Sequence, residues 1–180
     1  MDANQAESTI RRRLIEAGLK ELLEHGSRDF SLRRVAIGAQ VSCAAPYRHF
    51  KDKDELVRAV IAQIRENWVL LASEIAGIFP LGSFEHIEAL ATACVRFWIA
   101  DDNFAAFLSA GELSEFDVPI ISATEAYAKE RALSDTESSA LASSVLILIY
   151  GTVTVITSRR LDAKTAIANL GAQIKKLLVS

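Results

Sequence analysis

Only three prolines and eight glycines interrupt the 180 residues, too few for the turn-rich loops of a β-sandwich or barrel. Cysteine is scarcer still. Cys43 and Cys94 share neither metal nor redox spacing, which excludes a disulfide scaffold and points to a reducing, cytoplasmic compartment. Three histidines, His25, His49 and His86, fit no zinc pattern, and there is no nucleophile elbow, phosphate loop or recognisable carboxylate pair. Catalytic residues, metal and cofactor are therefore not expected, and an enzyme is the least favoured class. The start lacks a basic stretch followed by an apolar one, so no leader is expected. The chargeless stretch 141–158 raises the membrane question. It carries Ser143, Ser144, Gly151, Thr152, Thr154 and Thr157, and its strongly apolar part is about 13 residues, short of the roughly 20 needed to span. A helix buried among others, and no membrane partner, is the expectation.

What is abundant is apolar and helix-forming. Half the residues are hydrophobic, and Ala, Leu, Ile, Glu and Arg are plentiful. The net charge of −3 hides a division. Residues 1–60 hold eleven Lys and Arg against nine Asp and Glu, about +2, whereas the remainder holds nine against fourteen, about −5. A basic first third on an acidic body suits a protein that presents one end to a polyanion, although solvated helix faces would look the same.

Apolar residues recur at helical spacing throughout, and no alternating strand run occurs. Ser8 is the expected cap of a first helix with Ile10, Leu14, Ala17, Gly18 and Leu22 inward and Gly26 as its stop. Ser31 caps a short second helix that buries Leu32, Val35 and Ala36. After a turn at 39–41, Ser42 caps a third that ends near His49. Asp52, with Glu55 three residues on, opens a long fourth helix striped by Val57, Val60, Ile61, Ile64, Trp68, Leu71 and Ile75. Pro80 and Gly82 break the chain. Further helices are predicted at 84–99, 104–110, 120–133, from the capping box Ser134-Asp135-Thr136-Glu137 onward, and at 163–178, about nine in all. The fold class is all-α. A three-helix helix-turn-helix domain over 1–51 precedes a helical bundle over 52–180.

The stretch Val41-Ser42-Cys43-Ala44-Ala45-Pro46-Tyr47-Arg48-His49-Phe50, continuing through Lys53 to Leu56, resembles the recognition helix and following turn of TetR/AcrR-family transcriptional regulators. Phe30-Ser31-Leu32-Arg33-Arg34-Val35-Ala36 is similar to that family's second helix and Glu24-His25-Gly26 to the end of its first. The likeness covers about residues 9–60. It implies a homodimeric regulator that binds double-stranded operator DNA, with repression as the family's common mode. The implied DNA contacts are Ser31, Ser42, Tyr47, His49 and Lys53 toward phosphates, and Arg33, Cys43, Ala44 and Arg48 toward base edges. Arg11, Arg12 and Arg13 would touch the backbone beside the groove. Phe50 and Leu56 would anchor the third helix to the fourth. Two residues depart from the pattern. Gln40 stands where the family usually has glycine, at a steric cost if that residue is left-handed. Pro46 lies inside the short third helix, near the limit of the first turn where proline is tolerated.

In such regulators the remaining helices sense a small molecule. Trp68, Cys94, Phe97, Trp98, Phe107, Tyr127 and Tyr150 are the candidate lining, and their character suggests a small apolar or aromatic effector. His86, Arg96, Glu112 and Glu125 could orient a polar one. Leu141, Val145, Leu148, Thr152 and Ile156, with Ile167, Leu170 and Ile174 of the last helix, are the candidate dimer interface, Gly151 and Ala142 permitting close approach. A two-fold dimer would place two recognition helices about one DNA turn apart, on a near-palindromic operator. The rival to this reading is a TetR-like helical interaction protein, a co-regulator that binds a partner protein instead of operator DNA.

Overall fold

A computed structural model describes residues 3–26, 28–100 and 110–179, and among these the chain is all-helical. Eight helices follow one another: α1 (Ala3–His25), α2 (Leu32–Gly38), α3 (Ala45–His49), α4 (Lys53–Ile78), α5 (Phe84–Trp98), α6 (Ala110–Glu130), α7 (Asp135–Thr157) and α8 (Ala163–Val179). Residues 104–109 of the expected additional short helix, Phe107 among them, lie outside the described residues. Packing divides the chain into two compact units, one through Glu66 and one from Asn67. The division falls inside α4, past the 51/52 boundary expected from the motif.

In the first unit, Leu14, Ile15 and Leu22 of α1 meet Val35 and Ala36 of α2, together with Phe30, Phe50 and, from α4, Leu56, Val60 and Ile64, all buried. Gly18 lets α1 approach α4: a Cβ there would stand 3.0 Å from a Val60 methyl. In the second unit, α5 contacts α6, α7 and α8. It buries Ile87, Leu90, Ala91, Cys94, Val95 and Trp98 among them. By length and composition α7 would suffice to cross a membrane, with a mean hydropathy of 2.0 over its most apolar window. It is longer than the 13-residue run read from sequence. Its Ala142, Val145, Ile149 and Val153 are buried in the unit's own core.

Local chemistry sets the helix ends. Ser31 Oγ accepts from the Arg34 amide, Ser83 Oγ from the His86 amide at 3.1 Å, and Asp162 Oδ1 from the Thr165 amide at 2.9 Å. The Ser134 and Glu137 capping box is complete. Asp52 accepts from the Glu55 amide at 2.8 Å, while Glu55 reaches past it to the Lys51 amide at 2.6 Å. Ser8 caps nothing, because α1 begins at Ala3 and the Ser8 hydroxyl donates to the Gln5 carbonyl within it. Nor does Ser42 cap α3: the helix starts at Ala45, and Ala44 holds the cap position without a side-chain bond. Starting that late puts Pro46 in the first turn, where its missing amide costs no helical bond.

Helix α6 begins well before the expected residue 120 and runs through Pro119. Proline crowds the preceding turn and withholds an amide. The Phe116 carbonyl of that turn accepts from the buried Trp68 indole at 2.9 Å, so tertiary contacts hold the helix across the proline.

Three helices end on a non-glycine residue in the left-handed region: Gln40 after α2 (φ 55), Ala132 after α6 (φ 53) and Arg159 after α7 (φ 56). Each closes a Schellman turn, for instance Val41 N to Ala36 O and Leu133 N to Ala128 O, both 3.0 Å. Ala132 is exposed, so glycine there would relieve strain without losing packing. Ala132→Gly should stabilise the fold by about 0.5–1 kcal/mol in urea unfolding; an unchanged or lower midpoint would contradict the left-handed assignment.

Candidate nucleic-acid interface

The display of α3 begins on α1. Glu21 falls on the inward stripe of α1, one residue before Leu22, and its side chain is 5% exposed. Its carboxylate accepts from Arg34 Nε at 2.8 Å, from Arg34 Nη2 at 2.5 Å and from the Ser31 amide at 2.9 Å, with His25 Nδ1 3.3 Å away. Arg34 also donates to the Asp29 carbonyl. Burial pushes the Glu21 carboxyl up, but the hydrogen bonds from Arg34 and Ser31 and the charges of Arg34 and His25 outweigh it, and the group titrates below 4.5. One carboxylate thus ties the start of α2 to α1.

The Schellman turn at Gln40 then redirects the chain, and Arg13 donates to the Gln40 carbonyl at 3.4 Å. Helix α3 faces two ways. Ala45, Pro46 and Phe50 are buried, whereas Tyr47 is 65% exposed and Arg48 is exposed. Ser42, Cys43 and Ala44 are exposed in the turn before it. Arg33 is exposed on α2, Ser31 is half-buried at that helix's cap, and His49 is half-buried at the end of α3. Lys53, also half-buried, donates Nζ to the Arg28 carbonyl at 3.3 Å.

The three arginines of α1 bind within the chain. Arg11 lies over the Phe50 ring at 5.1 Å, Arg12 pairs with Glu16 at 3.6 Å, and Arg13 holds the turn. Glu21 and Arg34 were missed in the sequence. The available signal was an acidic residue on an apolar stripe, which burial forbids unless it is paired.

Of the expected pocket residues, five share a cluster in the second unit. Trp68 and Phe97 have ring centroids 5.6 Å apart, Phe97 and Trp98 6.2 Å, and Trp98 and Tyr150 6.3 Å. Cys94 is buried beside them, its thiol pushed up to about 12 by burial. Two residues not foreseen complete the cluster: Phe116, 5.3 Å from Trp98, and Asp117, bonded to the Tyr150 hydroxyl at 2.6 Å. Both precede residue 120, where the sequence placed the start of this helix. Tyr127 lies apart, its hydroxyl donating to the Leu178 carbonyl and its ring covered by Arg131. His86 is buried with both ring nitrogens unpartnered among the described residues, and burial lowers its pKa.

The expected dimer stripe divides. Val145, Leu170 and Ile174 are buried inside their own subunit and have no surface left to offer, because α7 and α8 turn that face toward α5. Leu141, Leu148, Thr152, Ile156 and Ile167 are half-buried. The exposed apolar groups nearby are Ile147 and Leu177.

Residues 14–60 match the family described as bacterial regulatory proteins, tetR family. The match takes in α2, α3, the turn between them and the start of α4. That segment is of the TetR-family type. Solved structures agree on the fold. SCO4454, a TetR-family transcriptional regulator from Streptomyces coelicolor, is 15% identical, with a TM-score of 0.70 over 99% of this chain and 95% of its own. A TetR family transcription regulator from Marinobacter aquaeolei VT8 gives 15% identity and a TM-score of 0.70 over 97% and 98%. A TetR-like transcriptional regulator from Rhodococcus sp. RHA1 gives 15% and 0.66 over 95% and 96%. A search of curated proteins returns no match. The first unit thus carries a segment of a known regulator family, and the exposed face of α3 lies within it.

Glu21→Gln should cost this domain about 1–3 kcal/mol, nearer the lower figure because Arg34 is 45% exposed. The carboxylate's folded pKa lies below 4.5, so its stabilisation is complete above that pH and is lost as pH falls through the folded value. Urea unfolding from pH 7 down to 3 should show the variant with a shallower acid decline; parallel curves would contradict the assignment.

Proposed function

We propose that the chain is a ligand-responsive transcriptional repressor that binds a near-palindromic operator as a homodimer in the cytoplasm, with no membrane partner. The observation that carries the reading is the two-faced α3: Ala45, Pro46 and Phe50 anchor it while Tyr47 and Arg48 stand in solvent, within the family-matched segment. We assign DNA reading to residues 1–51 and sensing and dimerisation to 52–180. Tyr47 and His49, with Ser31, Ser42 and Lys53, meet phosphates. Arg33 and Arg48 grip base edges, and Cys43 and Ala44 allow close approach. Lys53 would exchange its Arg28 carbonyl for a phosphate oxygen, a charge-assisted and stronger partner.

Selection of bound sequences from random duplexes would identify the operator, and its binding should weaken with salt at a slope of about 0.9 per phosphate contacted. Arg48→Ala should lose about 1–3 kcal/mol and relax preference at one base pair in each half-site. Tyr47→Phe should weaken all sequences alike. Salt-insensitive binding, or no enriched sequence, would favour a protein-binding role.

For the dimer, the free face of α7 and α8 supports a modified interface. Ile147, 70% exposed, Leu148 and Leu177 frame an open groove of about 450 Å³ with Ser144, Gln173 and Lys176. Gly151 has open space where a side chain would be, so a second α7 could approach closely. Leu141, Thr152, Ile156 and Ile167 would extend the contact at its margin. Ile147→Asp should yield a monomer in light scattering and lower operator affinity; a dimer unaffected by the change would place the interface elsewhere.

The effector, small and largely apolar or aromatic, would enter the cluster of Trp68, Cys94, Phe97, Trp98 and Tyr150. It shifts the DNA-binding equilibrium only if it prefers the released state. Helix α4, which contributes to both units, is the element through which we propose it acts.

A further inference from the structure

The second unit contains a carboxylate that no cation answers among the described residues. Asp117 on α6 is half-buried, and its one partner among the described residues is the Tyr150 hydroxyl of α7, which donates to Oδ1 at 2.6 Å. Around the pair stand aromatic rings. Trp98 is 6.3 Å from Tyr150 and 5.3 Å from Phe116, and Phe116 is 5.8 Å from Phe97. Trp68, Trp98 and Phe116 are fully buried, whereas Phe97, Tyr150 and Asp117 keep part of their surface accessible. The cluster thus combines two partly accessible aromatic rings and a partly accessible carboxylate with three fully buried rings.

That composition discriminates by charge. A neutral apolar guest would strip water from Asp117 and return nothing. An anion would add repulsion. A cation would neutralise the carboxylate and lie against the electron-rich faces of the rings. Burial already pushes the Asp117 carboxyl up, against the opposing Tyr150 hydrogen bond, as it does where a fold supplies no positive charge.

We propose that Asp117 and Tyr150, with Phe97 and Trp98, form the charge-recognising end of the effector site, and that the effector is an organic cation, an amine or quaternary ammonium on an apolar or aromatic body. The proposal rests on the reading of residues 52–180 as a sensor. It narrows the apolar or aromatic effector expected from sequence to a positively charged one.

The test is a titration of the full chain without DNA, read by quenching of Trp68 and Trp98 fluorescence and by the shift in thermal midpoint. The probes are 2-phenylethylammonium and benzyltrimethylammonium, the neutral 2-phenylethanol and the anionic 3-phenylpropanoate. At least one cation should bind saturably and at least about tenfold more tightly than the neutral and anionic probes. Asp117→Asn, which keeps the shape and the hydrogen bond to Tyr150, should lower cation affinity by about tenfold and leave 2-phenylethanol unchanged. Asp117→Glu should retain the preference for cations, which keeps the test decisive if the asparagine variant misfolds. A neutral or anionic probe binding as tightly as the cations, or cation affinity indifferent to Asp117→Asn, would overturn the proposal while leaving the sensor reading intact. Binding of no probe of any charge would overturn both. Operator binding, measured separately, bears on neither.

Discussion

A charge buried on the inner face of α1 governs how the first unit displays its α3. Glu21, buried on the apolar stripe of α1, stays ionised because Arg34 and the Ser31 amide bond it, and it in turn helps hold both. Ser31 caps α2 and Arg34 lies in its first turn, so the carboxylate fixes where α2 starts. The end of α2 is set by the left-handed Gln40. Once both ends are fixed, burial of Ala45, Pro46 and Phe50 leaves Tyr47 and Arg48 outward by helical geometry alone. The surface that reads DNA in our account is thus the consequence of one satisfied buried charge and one strained turn.

Helix ends marked by side-chain caps were legible in the sequence because their chemistry is local. Ser31 and the Ser134 and Glu137 box sit where the motif put them. The motif around Tyr47 was legible for the same reason: its residues lie within one short segment. Features decided by distant contacts were not. Serine is favoured at caps, yet Ser42 is displaced from that role by Pro46, which forces the first turn of α3 to begin later. Pro119 breaks helices in isolation, and only the Trp68 indole, 48 positions away, shows why α6 continues through it. The apolar stripe of Val145, Leu170 and Ile174 could have met a second subunit or the chain's own α5, and periodicity does not distinguish the two.

The same limit explains the candidate sensor site. Aromatic residues advertised an apolar pocket, and five of them or their neighbours do come together. The group that would confer chemical character, Asp117, lay between the helices expected at 104–110 and 120–133. Its significance emerges only when Tyr150 is found on the facing helix. A half-buried carboxylate among rings, with a tyrosine hydroxyl and no cation beside it among the described residues, is a more specific feature than the rings themselves, because rings fill cores everywhere and such a carboxylate costs stability.

A photocrosslinker at two positions tests the central claim most directly. With p-benzoylphenylalanine in place of Tyr47, irradiation in the presence of an enriched duplex should join protein to DNA, and with the same group in place of Ile147 it should join one copy of the chain to another and spare the DNA. Adducts to DNA from position 147, or none from position 47, would contradict the account.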